Sequence, residues 1–417
     1  MLQEIIDLQQ SAVKQLVAEL KKKNEITFKA PTGSGKTYMM ADFMNRVIAE
    51  KPNVVFLVSS LSKGDLARQN YEKFEEYKEK GNFPNLNPYL INSEIAGEER
   101  LFIPAEYNVY LLPRDLYKRG GRLMQGSMTA FLKELKFFKK IFLIKDECHI
   151  ETKNLNSLSD YFEKTVNFSA TPKLTRGQHP DVEIKNGDAE NAKLIKTIEW
   201  GEETDTVSDA IAKFEEVKEN YRNLLRINPC LIIQISNKDK ADEELQNKIK
   251  PALKAKPDIK WMLIVDKEKE CDTNDVFKAK KMPVAKWKDY AKTSAATIDV
   301  IIFKMVITEG WDIPRACMLY QVRDTQSKQL DEQVVGRVRR NPRLSDFEIL
   351  DEKAQKLAMT AWVWGVESDE QKKVIGVKLY DEPQETIENV KIKTTKLKKL
   401  SEKTDFNLSD FLSKQKE

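Results

Sequence analysis

The sequence predicts an α/β protein made of two tandem parallel-sheet domains with a short C-terminal extension. Three observations predict it. Short apolar runs of strand length alternate with charged segments of helical period. A glycine-rich turn, Ala30-Pro-Thr-Gly-Ser-Gly-Lys-Thr37, joins one such run to one such helix. The alternation thins over 173–200, where Thr175-Arg-Gly-Gln-His-Pro180 and Lys185-Asn-Gly-Asp188 are rich in turn residues, and then starts again.

Taken in order, the first series predicts a helix over 4–22, a strand over 26–29 and a helix over 37–49 that carries apolar Met39, Met40 and Phe43. A strand over 54–58, a helix over 66–80 and strands over 109–112, 141–145 and 166–168 follow. The second series predicts a helix over 207–226, a strand over 231–235, a helix over 241–254 and strands over 262–265, 298–303 and 318–322. Strands alternating with helices call for parallel sheets with helical crossovers. The expected domains are 1–180 and 201–345, with a linker over 181–200 and an extension over 346–417 suited to docking a partner. Within the extension, 360–366 and 374–380 are expected to form a strand pair, and 391–403 holds six lysines against one glutamate.

Composition narrows the class. With 417 residues and 41% apolar content there is material for more than one core, and 70 basic against 66 acidic residues leave a net charge of only +4. That balance is unlike a disordered chain. The two histidines and four scattered cysteines form no C-x-x-C pair, which excludes zinc ribbons and hydrolases that need several histidines. Free thiols at such spacing suit a reducing compartment. The start, Met1-Leu2-Gln3-Glu4, is not a cationic secretion signal, and no apolar run reaches a membrane span of roughly 18 residues. A soluble, cytoplasmic protein with no membrane partner is expected.

The strand–turn–helix at 26–49 is the sharpest chemical signal. The turn residues Thr32, Gly33, Ser34 and Gly35 let backbone N–H groups converge on phosphate oxygens, aided by the positive end of the helix. Lys36 is placed to reach the β- and γ-phosphates of ATP and the Thr37 hydroxyl to hold Mg2+. Phe142-Leu-Ile-Lys-Asp-Glu-Cys-His149 ends an apolar strand in two carboxylates, at the edge where α/β sheets bind ligands. Asp146 would hold Mg2+ through its water shell, and Glu147 would polarise the attacking water. Ser169-Ala-Thr171 follows on the next strand. In the second series, Gln333, Gly336, Arg337 and Arg340 stand at Q-x-x-G-R-x-x-R spacing in a domain with no phosphate loop of its own. Arginines there suggest a composite site in which the second domain meets the γ-phosphate; a basic helix end binding a structural carboxylate is the alternative.

This ordered set resembles the superfamily-two helicases and translocases, whose two domains are RecA-like. Lys36 and Thr37 match motif I, Asp146 to His149 motif II, Ser169 to Thr171 motif III, Thr308 to Asp312 motif V, and Gln333 to Arg340 motif VI. The resemblance implies nucleotide contacts for Gln9, Gly310 and Asp312 and a coupling role for His149, Ser169 and Thr171. It implies nucleic-acid contacts for Ser60, Arg68, Gln69 and Thr308. Glu309-Gly-Trp-Asp312 followed by Ser327-Lys-Gln-Leu-Asp-Glu-Gln333 resembles the Res subunit of type III restriction enzymes over about residues 5–342. That implies ATP-driven movement on double-stranded DNA beside a methyltransferase or nuclease subunit. The family's nuclease pattern is not evident after Pro342: Glu370-Gln-Lys372, with Asp351 upstream, has the spacing but lies in a polar run, and no nuclease activity is expected. Arg114, Arg119 and Arg122 are further candidates for a phosphate backbone, while Trp200, Trp261, Trp287, Trp362 and Trp364 are expected in the core. Two functions remain open: an ATP-hydrolysing DNA helicase or translocase, and a nucleotide-gated binding subunit without sustained turnover.

Overall fold

A computed structural model describes residues 2–61, 66–91, 103–117, 126–148, 153–175, 177–202, 204–236, 239–265, 267–304, 313–322 and 328–365. Among the site residues named above, His149, Thr308, Gly310 and Asp312 lie outside them, as do Arg119, Arg122 and everything after Gly365, including 370–372 and 391–403.

The first sheet takes β1 (Glu25–Lys29), β2 (Val54–Ser60), β3 (Pro88–Leu90), β4 (Val109–Pro113), β5 (Lys140–Asp146), β6 (Lys164–Ser169) and β7 (Val182–Glu183). Their spatial order is β3-β4-β2-β5-β6-β1-β7, and every neighbouring pair is parallel. Parallel neighbours need crossovers, and helices supply them: α1 (Gln3–Lys22) leads into β1, α2 (Lys36–Glu50) links β1 to β2, α3 (Leu66–Glu79) follows β2, and α4 (Ser127–Phe138) precedes β5. The central β2 is buried along its whole length, Val54 to Ser60, as a strand covered by helices on both faces must be. On α1 the buried residues Ile5, Gln9, Ala12, Val13, Leu16 and Leu20 recur at three- and four-residue steps, so one stripe faces the protein and the lysines stay out.

The second sheet takes β8 (Thr197–Trp200), β9 (Cys230–Gln234), β10 (Trp261–Ile264), β11 (Asp272–Thr273), β12 (Val300–Phe303), β13 (Ala316–Gln321) and β14 (Thr360–Trp364), in the order β11-β10-β12-β9-β13-β14-β8. Only the β10–β11 pair is antiparallel. The architecture is therefore the α/β fold with two tandem parallel sheets that the sequence predicts, and both sheets lie in one compact unit, Met1–Gly365.

Several elements differ from the expectation for local physical reasons. The stretch 181–200 is not plain linker: β7 adds an edge to the first sheet and β8 an edge to the second. Residues 360–364 pair in parallel with β13 and β8 rather than in a local hairpin, so the second sheet extends beyond 345. The strands concerned are short, β7 and β8 at the sheet edges and β14 between β13 and β8, and each pairs with a strand far along the chain. The helix expected over 241–254 takes a π turn at Leu245–Ile249, because Pro251 has no N–H to continue an even ladder. Trp287, Trp362 and Trp364 are buried, and Trp200 and Trp261 are half-buried. No helix among the described residues is long and apolar enough to cross a membrane.

Candidate functional site

The phosphate-type turn is built as its sequence demands. Gly33 (φ +90°) and Gly35 (φ +81°) adopt left-handed backbone, which only glycine takes without strain, and Gly35 starts α2. Gln9 lies against this turn. Its Nε2 donates to the Ser34 carbonyl at 3.0 Å and would sit 2.6 Å from a Cβ at Gly35. Ser34 is fully buried. The Lys36 ammonium donates to the Ala30 and Pro31 carbonyls, each at 3.2 Å, so it folds back over its own loop.

Asp146 ends β5 beside this turn, and Glu147 follows in a left-handed conformation (φ +52°), unusual for a side chain of this kind. Such conformations store about 1–3 kcal/mol and persist where the surroundings dictate them. Here the Cys148 N–H bonds the Phe168 carbonyl of β6 at 3.0 Å, and Arg114 grips the other side. Buried Arg114 donates to Ser59 Oγ at 3.2 Å and to the carbonyls of Asp146 and Glu147. It is thus a clamp on the turn that carries the two carboxylates, not a surface contact for nucleic acid. The structure also corrects Ser60, which is fully buried and accepts a hydrogen bond from Asn70 at 3.1 Å, so it faces the site rather than a bound backbone. Arg68 is exposed on α3 and Gln69 lines the cleft. Ser169 Oγ accepts from the Thr171 N–H at 3.0 Å, and the Ser169 carbonyl accepts from Ala30 N–H at 3.2 Å, which ties the end of β6 to the glycine turn.

The second half of the chain completes the site. Helix Lys328–Val338 packs on the glycine turn: a Cβ at Gly336 would lie 2.3 Å from Thr32 Cβ, and one at Gly33 would lie 3.1 Å from Arg340 Cγ. Only glycine at 336 allows this approach. A cleft of about 530 Å³ results, lined by Thr32, Gly33, Gly35, Lys36, Thr37, Asp146 and Glu147 from the first half and by Gln333, Arg337 and Arg340 from the second. Burial in it pushes the Lys36 ammonium below its ordinary pKa. Burial, with Glu147 adjacent, pushes the Asp146 carboxyl above its ordinary range. An anion over the glycine turn and a divalent cation near Thr37 and Asp146 would further offset these desolvated charges.

The neighbouring arginine behaves differently. Arg339 is buried, donates to the Lys196 carbonyl at 3.0 Å and Asn186 Oδ1 at 3.1 Å, and pairs with Glu190. Structural carboxylate binding is therefore its role, while Arg337 and Arg340 line the cleft. Arg339→Ala is expected to cost about 3 kcal/mol or more in unfolding free energy, since it strands buried acceptors and a carboxylate. Denaturant melts of the variant and the parent check this.

Asn70 escaped the sequence reading, which stopped at Gln69. It is buried and donates to Ser60 Oγ and to Asp146 Oδ2 at 3.0 Å, while its Oδ1 faces the Thr37 hydroxyl at 3.4 Å. A signal was present: Ala67, Asn70 and Phe74 form the buried stripe of α3, and a polar residue on a buried stripe must be bonded to something.

Comparison with known proteins bears on the first half most directly. Residues 3–174 match the model of the family described as type III restriction enzyme, res subunit. None of the curated proteins matches the chain. Among solved structures, the ATP-dependent Type ISP restriction-modification enzyme LlaBIII bound to DNA is 13% identical, with 86% of this chain and 27% of that one covered and a TM-score of 0.49. A putative HsdR subunit of a type I restriction enzyme from Vibrio vulnificus YJ016 is 16% identical, with 85% and 63% covered and a TM-score of 0.48. Dbp5 of S. cerevisiae bound to RNA and ADP BeF3 is 13% identical, with 83% and 80% covered and a TM-score of 0.40. This chain spans 27% and 63% of the length of the first two, and at these identities the likeness concerns the fold. The motif resemblance and the family match coincide on the glycine turn and the Asp146-Glu147 strand, both of which lie inside the matched residues 3–174.

Proposed function

We propose that this chain is an ATP-dependent DNA translocase or helicase, working as a restriction- or defence-type subunit beside a methyltransferase or nuclease subunit. The observation that carries the reading is the composite cleft, in which Gln333, Arg337 and Arg340 face the same space as Lys36, Thr37, Asp146 and Glu147. In this reading the turn Thr32–Thr37 binds the phosphates of ATP, Gln9 contacts the base side, and Thr37 and Asp146 hold Mg2+. Mg2+ supplies charge neutralisation for the phosphates. Glu147 orients and deprotonates water, and Arg337 and Arg340 stabilise charge that develops on the γ-phosphate. Because these groups come from two sheets, opening and closing of the cleft couples hydrolysis to movement of the second half against the first. The motif resemblance to the restriction-enzyme branch and the family match over residues 3–174 support duplex DNA as the track.

Turnover measured side by side with no nucleic acid, duplex DNA, single-stranded DNA and RNA tests the reading. A rate raised most by duplex DNA is expected. Nucleotide binding without turnover under all four conditions would replace it with the nucleotide-gated binding subunit. Lys36→Ala is expected to weaken ATP binding by about tenfold or more, since it removes the half-buried cation from the glycine turn. Equilibrium binding of ATP to the variant and the parent checks this.

A further inference from the structure

We propose that Asn70 is a positioning residue that orients Thr37 and Asp146 for a divalent cation before the cation arrives. The inference rests on the reading of the cleft as a Mg2+–nucleotide site and assigns a residue that the helicase motifs do not name. Its basis is hydrogen-bond polarity. Asn70 is 4% exposed on α3, with Ser60 Oγ at 3.1 Å and Asp146 Oδ2 at 3.0 Å from Nδ2, and Thr37 Oγ1 at 3.4 Å from Oδ1. An ionised carboxylate only accepts, so the amide must turn its NH2 toward Asp146. That fixes Oδ1 toward Thr37, and an amide oxygen only accepts, so the Thr37 hydroxyl must donate.

Two consequences follow for the cleft. The Thr37 proton is committed to Asn70, which leaves the hydroxyl lone pairs for a cation. Asp146 Oδ2 is held by Asn70, and this leaves Oδ1 for the cation or its water shell. One amide thereby sets both groups, although Thr37 lies in the first turn of α2 and Asp146 ends β5. Ser60, at the end of β2, holds the second N–H of the same amide and stops it from rotating. Outer residues that fix the orientation of ligands typically change metal affinity by about 10–100-fold when removed.

The test is a Mg2+ titration of the binding of a non-hydrolysable ATP analogue, followed by equilibrium dialysis, on the parent, Asn70→Ala and Asn70→Leu. The leucine keeps the branched shape and removes the hydrogen bonds. Thermal midpoints without ligand are measured on the same samples. The Mg2+ concentration for half-maximal binding is expected to rise about tenfold in both variants, with binding in excess EDTA unchanged. Folded variants whose Mg2+ titration overlays the parent's would overturn the inference and leave the cleft reading standing. Failure of both variants to fold would make Asn70 a structural residue and overturn it as well. A parent that binds the analogue with no Mg2+ dependence would instead sink the reading of the cleft itself.

Discussion

Glu147→Gln is expected to bind ATP as the parent does and to turn it over about 10²–10⁴-fold more slowly. Glutamine has the shape of glutamate and keeps its hydrogen bonding to a water molecule, but it cannot take that water's proton. The structure adds a reason for expecting binding to survive. Glu147 sits in a left-handed turn held through backbone atoms, the Cys148 N–H on the Phe168 carbonyl and Arg114 on the carbonyls of Asp146 and Glu147. Those contacts do not involve the side chain at 147, so the substitution leaves the turn in place. Single-turnover rates and equilibrium binding of ATP, measured on one preparation, separate the two quantities. Hydrolysis at the parent rate would mean that another group activates the water.

The second large effect concerns the far half of the chain. Arg340→Ala is expected to lower nucleic-acid-stimulated turnover by about 10³-fold or more, with nucleotide affinity changed far less, because an arginine facing the γ-phosphate acts mainly in the transition state. Arg340 crosses the glycine turn closely enough that its Cγ would lie 3.1 Å from a Cβ at Gly33. Its charge also acts on Lys36, helping to lower the ammonium's pKa. A purely structural arginine predicts the opposite pattern: a lower thermal midpoint with stimulation retained in the folded fraction. Arg339→Ala supplies the internal reference for that pattern, since Arg339 pairs with Glu190 and the Lys196 carbonyl. If Arg340→Ala melts early like Arg339→Ala and still responds to DNA, the composite site is wrong.

The glycine turn, the strand ending in Asp146 and Glu147 and the alternation of strands and helices were legible in the sequence because each is a local requirement. A left-handed backbone at 33 and 35 needs glycine, a helix start follows within one turn, and a buried parallel strand needs an unbroken apolar run such as 54–58. These constraints act over a few residues, so residue order alone determined them. What the tertiary structure decided depends on residues brought together over long chain distances. The edge strand β8 and its neighbour β14 find each other across 163 residues, where Trp362 donates to Glu199 at 2.7 Å, and residue order alone names neither strand's partner. The spacing singles out Arg337 and Arg340 from Arg339, but it leaves open a basic helix end that binds a structural carboxylate. The packing of Gly336 on Thr32 brings 337 and 340 to the cleft, while 339 pairs with a carboxylate. Arg114 looks like a surface residue in sequence, and the helical stripe that carries Asn70 does not say what Asn70 bonds. They prove to be buried connectors, because the groups they bond, Ser59, Ser60, Thr37 and the Asp146 turn, meet at one sheet edge only after the parallel strands have been ordered in space.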